Sequence, residues 1–166
     1  MTPNASFGPM QTLKHRLKLT KPLSLHTTGI LSLVIAAQGI MARVGAACER
    51  HGITRPQYNV LRVLRGAGTA GHPRHEISAR VVEKAPDVTR ILNRLTKAGY
   101  VKRARSSEDG RESVGRITDK GLALLLEVDQ SVSKEERVIG SCLKSSEWTT
   151  LARLCQRLFL EEECPS

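Results

Sequence analysis

The chain has 166 residues, of which 40% are hydrophobic, and a formal net charge of +10 at pH 7. That length provides one domain with a hydrophobic core and leaves no room for a second globular domain. Aromatic residues make up only 3% of the chain, which argues against proteins that stack single-stranded bases on aromatic side chains, so the positive charge indicates duplex DNA as a partner.

The first 23 residues are predicted to form a flexible, irregular, basic arm. Three prolines bracket the basic stretch from Lys14 to Lys18, and proline interrupts regular structure. The charge also permits contact with phosphates, so a purely solvated arm and a DNA-contacting arm both remain open.

A long apolar helix is predicted from about Ser24 to Arg50. Its run GILSLVIAA follows cations, as the apolar region of a secretory signal does. Apolar residues nevertheless continue at helical spacing as far as Cys48, with Arg43 between them, whereas a signal region would end. The run is also too short to cross a bilayer, so we expect a cytoplasmic protein with no membrane partner.

Two shorter helices, separated by a glycine-rich loop, are predicted next. The first spans Thr54 to Arg65, with Thr54 as its cap and Pro56 in its first turn. The second spans about Arg74 to Val82 and packs Ile77 inward. Its position before the following helix makes it the supporting element of a helix-turn-helix.

The following helix has the pattern of a DNA-reading element. Pro86 and Asp87 favour its start and Gly99 its end, so we expect it from about Pro86 to Ala98. One face is apolar and the opposite face is cationic and amide-bearing. The apolar face comprises Val88, Ile91, Leu92 and Leu95, and the polar face comprises Arg90, Asn93, Arg94 and Lys97. In a major groove, Arg pairs with guanine and Asn with adenine.

A short β-hairpin is predicted directly after this helix. Tyr100 to Arg103 forms one strand, Ser106 to Gly110 a turn, and Ser113 to Thr118 the returning strand. A ribbon of this width can enter a minor groove with its cations. These cations are Arg103, Arg105, Arg111 and Arg116.

From about Thr20 to Leu160 the chain resembles the MarR family of winged helix-turn-helix transcription regulators. PDVTRILNRLTKAGYVKR is similar to the family's recognition helix and EDGRESVGRITDKG to its wing, where Asp109 and Arg111 match an Asp-x-Arg signature. Three residues depart from the family pattern. Gly110 stands where an Arg is common, which weakens one candidate phosphate contact. Asn93 stands where an Asp is common, and Gly115 stands where an apolar β-branched residue is usual, which predicts a loosened or bulged wing.

The resemblance implies a mainly α fold with a small two- to three-stranded β-wing. The winged helix-turn-helix is flanked by N- and C-terminal dimerisation helices. The implied regions are the arm (1–23), an N-terminal dimerisation helix (24–52), a DNA-binding lobe (53–118) and C-terminal dimerisation helices (119–166). Apolar residues recur at helical spacing in both terminal regions, which permits either an intramolecular core or an interface. The resemblance implies that the first and last helices of two subunits interlock, and we expect a mixture of the two, with most of this apolar surface shared between chains.

Roles for individual residues follow from the polar face of the helix and from the resemblance. Arg90, Asn93 and Arg94 would enter the major groove, and Arg111 would reach the minor groove. Asp109 is expected to hold Arg111 or the wing turn, because phosphates repel a carboxylate. The candidate DNA-binding residues are Asp87, Thr89, Arg90, Asn93, Arg94, Lys97, Arg105, Ser106, Ser107, Asp109 and Arg111.

The expected function is sequence-specific binding of double-stranded DNA by a homodimeric repressor on a near-palindromic operator. The resemblance adds a small anionic or aromatic effector that releases the DNA. No catalytic triad order, paired acidic dyad, phosphate-binding loop or metal-ligand cluster stands out, so we expect no enzyme activity, cofactor or metal. Two alternatives stay open: a winged-helix module that binds an acidic protein, and a thiol-based redox sensor of the same fold.

The four cysteines form no CxxC pair, which disfavours a zinc site. Cys48 and Cys155 lie in phase with apolar helix positions and are expected to be buried and reduced. Cys142 and Cys164 are expected to be exposed, and either would be the switch in the redox alternative. The histidines at 51, 72 and 75 are expected to be solvated.

Overall fold

The structure is a computed structural model that describes residues 9–81, 87–105 and 113–159, without the side chains of 9–12, 105 and 159. It forms two compact units, Met1–Arg43 and Val44–Ser166. The helices are α1 (Pro9–Arg16), α2 (Leu25–Glu49), α3 (Arg55–Gly66), α4 (Arg74–Arg80), α5 (Val88–Lys97), α6 (Asp119–Gly140) and α7 (Ser145–Phe159). The strands are β1 (His72–Pro73), β2 (Val101–Arg105) and β3 (Ser113–Ile117).

The N-terminal segment contains a helix, so the prediction of an irregular arm was wrong for Pro9–Arg16. Pro9 is the first residue of α1, where a fixed φ and a missing N–H cost nothing. Lys18 follows the helix with φ 51°, and the N–H of Leu19 donates to the carbonyl of Lys14 at 3.0 Å. This left-handed C-terminal cap ends the helix despite the absence of glycine.

α2 begins in the first unit and ends in the second. Ser24 precedes it, and the Ser24 hydroxyl accepts a hydrogen bond of 3.1 Å from the N–H of Thr27. The helix has 25 residues and is apolar enough to cross a bilayer by length and composition. The nine-residue run GILSLVIAA, which is too short to cross a bilayer by itself, is only part of this helix. In the second unit, Ala47 and Cys48 are fully buried.

α3 is the central helix of the second unit and contacts α4, α5, α6 and β3. Thr54 and Gln57 form a reciprocal capping box at its start, as expected for Thr54. Leu61 and Leu64 of α3 are fully buried against Leu95 of α5 and Leu125 of α6 in one hydrophobic cluster. This cluster fixes α3 and α5 relative to α6.

Three antiparallel strands form the sheet in the order β1-β3-β2. Gly115 pairs with His72 on one side and Arg103 on the other, and the β2–β3 register is continuous from Val101 to Arg105. The prediction that Gly115 bulges the wing was therefore wrong. An added Cβ there would lie 3.5 Å from Leu92, so the glycine leaves a small gap in packing without breaking the ladder.

α6 starts against the end of α5. The Thr118 hydroxyl accepts from the N–H of Gly121 at 3.1 Å and donates to the carbonyl of Gly99 at 2.7 Å. A Cβ at Gly121 would overlap the carbonyl oxygen of Tyr100, so a residue without a side chain is needed for this close approach. α6 ends at Gly140, and Leu143 lies in the loop before α7.

Candidate DNA-binding surface

Helix α5 begins later in the sequence than predicted. The helix begins at Val88, and Asp87 is its N-cap, with a carboxylate oxygen that accepts from the N–H of Arg90 at 2.9 Å. Pro86 lies outside the described residues. The other Asp87 oxygen lies 3.7 Å from Nε of Arg90. Both carboxylate oxygens of Asp87 therefore contact the helix start, where a negative charge is stabilised.

The two predicted faces of α5 are confirmed. Val88, Leu92 and Leu95 are buried, and Ile91 is partly buried against the core. The exposed side chains are those of Thr89, Arg90, Asn93, Arg94 and Lys97. Packing therefore leaves the cationic, amide-bearing face of α5 free to meet a ligand.

A rigid turn joins α5 to the sheet. Gly99 has φ 78°, and the N–H of Tyr100 donates to the carbonyl of Leu95 at 2.9 Å while the N–H of Gly99 donates to that of Thr96 at 3.0 Å. These two bonds form a Schellman cap, for which glycine is favoured at the left-handed position. Strand β2 starts two residues after Gly99, so the cap fixes the direction of the wing relative to the helix.

Asn93 is bound by the wing. Nη2 of Arg103 donates to Oδ1 of Asn93 at 2.7 Å. The sequence pattern predicts Asn93 in the major groove and Arg103 among the cations of the ribbon, but it does not predict this contact. No local pattern links a helix residue to a strand residue ten positions later.

One of the wing cations that were expected to face outward, Arg116, contacts the rest of the protein instead. Arg116 is half-buried, and its Nε donates to the carbonyl of Ala70 at 3.2 Å. The expectation that Arg116 projects from the ribbon was therefore wrong, because it ties β3 to the loop after α3. Arg105 lies in β2, where the structure describes its backbone alone. Ser106, Ser107, Asp109, Gly110 and Arg111 lie outside the described residues.

A cavity of about 350 Å³, which no sequence pattern predicts, lies between α4, α5 and the sheet. Its walls include Leu92 and Thr89 of α5, Arg103 of β2, and Arg74 and His75 of α4. Gly115 also lines it, so the gap left by that missing side chain contributes to the space.

Polar contacts fasten α6 to the helix α3 and to the loop before it. Asp129 accepts from the phenol of Tyr58 at 2.7 Å and forms an ion pair with Arg65. His51 Nε2 lies 2.8 Å from the Ser131 hydroxyl, and its Nδ1 lies 3.6 Å from Glu127. The expectation that His51 is simply solvated was wrong. These contacts join residues 64 to 80 positions apart.

The cysteines differ in exposure much as predicted. Cys48 is fully buried, and burial raises its pKa from 9.0 to about 11, which keeps the thiol protonated and poorly reactive. Cys142 is exposed and Cys155 is partly buried, and Cys164 lies outside the described residues. Within the part of the chain that the structure describes, no three His, Cys, Asp or Glu side chains cluster so as to hold a metal ion.

The sequence is similar to those of known transcriptional regulators. Residues 51–112 match a family model described as MarR family. The chain is 28% identical over 121 residues to the HTH-type transcriptional regulator FarR of Neisseria gonorrhoeae, covering 70% of this chain and 82% of that protein. It is 24% identical over 132 residues to the homoprotocatechuate degradative operon repressor of Escherichia coli, covering 80% and 88%.

Solved structures share the fold. The MepR–DNA complex of S. aureus superposes with a TM-score of 0.68 at 19% identity, covering 78% of this chain and 90% of that one. BpsR of Bordetella bronchiseptica, whose DNA binding is regulated by 6-hydroxynicotinic acid, superposes with a TM-score of 0.71 at 18% identity, covering 83% and 97%. The winged-helix arrangement of α3 to β3 is thus that of known regulators.

Proposed function

Because this chain belongs to the MarR family of winged helix-turn-helix, DNA-binding transcriptional regulators, we propose that it is a homodimeric repressor. It binds a near-palindromic operator in the cytoplasm and releases it when a small anionic or aromatic effector binds. The observation that carries this proposal is the exposed polar face of α5, held by a buried apolar face and two capped ends. The function requires no catalytic chemistry.

In the proposed complex, α5 enters the major groove. Arg90, Arg94 and Lys97 bring positive charge to it, and Thr89 lies near the helix start, where N–H groups favour a phosphate. The wing supplies Arg111 to the minor groove, with Arg105, Ser106 and Ser107 near the phosphate backbone and Asp109 holding the wing turn. Residues 51–120 carry a net charge of +8, which attracts DNA to this part of the molecule.

A second copy of the chain would cover apolar side chains that the single chain leaves exposed. Ile30 of α2 is 63% exposed, Leu126 of α6 is 61% exposed and Leu158 of α7 is 64% exposed. Further exposed apolar residues lie on the same three helices: Leu25, Leu33, Val34, Ile40, Met41, Leu122, Val138 and Leu154. Water-exposed apolar surface on this scale is typical of an interface. We assign α2 to that interface rather than to a bilayer for two reasons. The helix includes Arg43, and the relatives of this protein are transcriptional regulators.

Repression and effector control are proposed from relatives. One relative is by name an operon repressor for homoprotocatechuate degradation, and BpsR responds to 6-hydroxynicotinic acid. Both compounds are small aromatic acids, so we propose an effector of that class. No contact in the described residues selects one compound.

The experiment that tests this function is enrichment of bound duplexes from a random pool, followed by sequencing. We expect one enriched site with two half-sites whose centres are about 10 base pairs apart. If a dimer makes about 6–10 phosphate contacts, affinity for that site should fall roughly 10³–10⁵-fold between about 50 and 200 mM salt. Failure to retain any duplex at low salt would overturn DNA binding, and a site with a single half-site would overturn the dimer.

A further inference from the structure

The hydrogen bond between Asn93 and Arg103 determines which end of the Asn93 amide faces away from the wing. Asn93 lies on the exposed face of α5 and Arg103 on β2, and Nη2 of Arg103 lies 2.7 Å from the Asn93 side chain. A guanidinium carries only donors, so the amide atom that faces it is the oxygen, Oδ1. The nitrogen, Nδ2, with its two N–H donors, is the end left for another partner.

The sheet holds Arg103 in this position. Its strand neighbour in register is Gly115, which adds no side chain to the face that the two residues share. Val101, two residues earlier on that face, is 2% exposed and anchors β2 in the core. Arg103 lines the cavity beside Thr89 of α5. The guanidinium therefore reaches α5 without competition from a side chain on β3.

This arrangement changes what Asn93 can recognise. An Asn that reads adenine uses both ends of its amide, because Oδ1 accepts from N6 and Nδ2 donates to N7. Here a charged donor engages one of the two lone pairs of Oδ1 and holds that atom toward β2, so the groups best placed to face a base are Nδ2 of Asn93 and the other N–H groups of Arg103. All of them are donors.

The major-groove edge of guanine presents two acceptors, N7 and O6, and no donor. Building on the proposed DNA-binding function, we infer that Asn93 and Arg103 act as one unit that reads guanine and that Arg103 determines this specificity. The amide is essential to the unit. An Asp at position 93 would accept from Arg103 equally well but would offer no donor to a base.

The test is a base-preference profile of the enriched operator against all of its single-base variants. For the wild type we expect a guanine preference on the order of tenfold at one position per half-site, and Asn93→Ala should abolish it. Arg103→Ala should shift that position toward adenine, because Oδ1 becomes free to accept from N6. Arg103→Lys, which retains a charged donor, should preserve the preference for guanine.

Lys102→Ala is the matched control, because it removes the same charge from the neighbouring residue, whose side chain lies on the opposite face of β2. It should weaken binding to all duplexes to a similar extent and leave the base-preference profile unchanged. Circular dichroism verifies folding, and Arg103→Met, which keeps the aliphatic stem and removes the donors, replaces the alanine variant if that variant does not fold.

If Arg103→Ala lowered the affinity for all operator variants equally, and by as much as Lys102→Ala does, the inference would be overturned. DNA reading by α5 would be unaffected. A wild-type protein that prefers no duplex would instead overturn the proposed function on which the inference rests.

Discussion

The phenol of Tyr58 on α3 donates a 2.7 Å hydrogen bond to Oδ1 of Asp129 on α6, and Arg65 binds the other carboxylate oxygen. Tyr58 is 4% exposed, so its phenol has little access to water. The central helix of the DNA-binding unit is thus bound to α6 by a partly buried charged group as well as by the core.

Tyr58→Phe should lower the free energy of unfolding by about 1–3 kcal/mol, because a hydrogen bond to a charged acceptor is lost. Urea unfolding followed by circular dichroism measures the change. Tyr100→Phe is the control, since it removes the same hydroxyl from the only other tyrosine. An equal effect of the two substitutions would contradict a specific role for the Asp129 contact.

The Tyr58 contact should also make stability depend on pH in the alkaline range. Burial, and then the hydrogen bond to Asp129, raise the pKa of Tyr58 above its ordinary value of 10.0. The neutral phenol is therefore favoured in the folded state, and the stability that it contributes is complete below pH 10 and lost as the pH rises above it. The difference in unfolding free energy between wild type and Tyr58→Phe should shrink as the pH rises from about 10 to about 12. A constant difference across that range would contradict the assignment.

Gly115→Ala should stabilise the protein by about 0.4–1 kcal/mol, because the new methyl group would restrict the unfolded chain and meet its neighbours at ordinary contact distance. The nearest of these atoms, in Leu92, Leu64 and Val101, lie 3.5 to 3.7 Å from the added Cβ. Gly121→Ala gives the contrast, since its Cβ would overlap the Tyr100 carbonyl, and it should destabilise by about 1–3 kcal/mol. Thermal unfolding of both variants decides whether the gap at Gly115 is real.

The proposed dimer predicts that a charge on an exposed apolar residue separates the subunits. Ile30→Lys and Leu126→Lys should each convert a species of about twice 18.2 kDa into one of single-chain mass, because an unpaired charge in an apolar interface is costly. Ala79→Lys adds the same charge at an exposed position on α4 and should leave the dimer intact. Light scattering that shows a wild-type monomer at micromolar concentration would contradict the proposed interface.

Much of α5 and its caps was predictable because the signals are local. The apolar spacing from Val88 to Leu95 gave the correct buried face, and Gly99 gave the correct end. The predicted start is too early because Pro86 suits a first helical position, whereas Asp87 caps the helix. The prediction of an irregular N-terminal arm is wrong for a related reason. Proline usually interrupts regular structure, but Pro9 occupies the helix position that favours proline.

Contacts between distant polar residues were not predictable from local pattern. The bond from Arg116 to Ala70 and the contact of His51 with Ser131 depend on which elements meet in the fold. The Asn93–Arg103 bond has the same origin, since a capped turn brings the wing back toward the helix. Such contacts change the role of a residue without leaving a periodic signal in the sequence.

We propose that the exposed face of α5 reads base pairs. Arg90 has a 73% exposed side chain whose described ion pair is a 3.7 Å contact with Asp87, so Arg90→Ala should leave the fold unchanged. Lys134→Ala, an exposed cation on α6, is the control for the loss of one charge.

The decisive measurement is the affinity of both variants for the enriched operator and all of its single-base variants, at one salt concentration. We predict that Arg90→Ala loses about 1–3 kcal/mol per half-site and relaxes base preference at one position, while Lys134→Ala keeps the wild-type profile. A profile for Arg90→Ala that matches the wild type at every position would contradict base reading by α5.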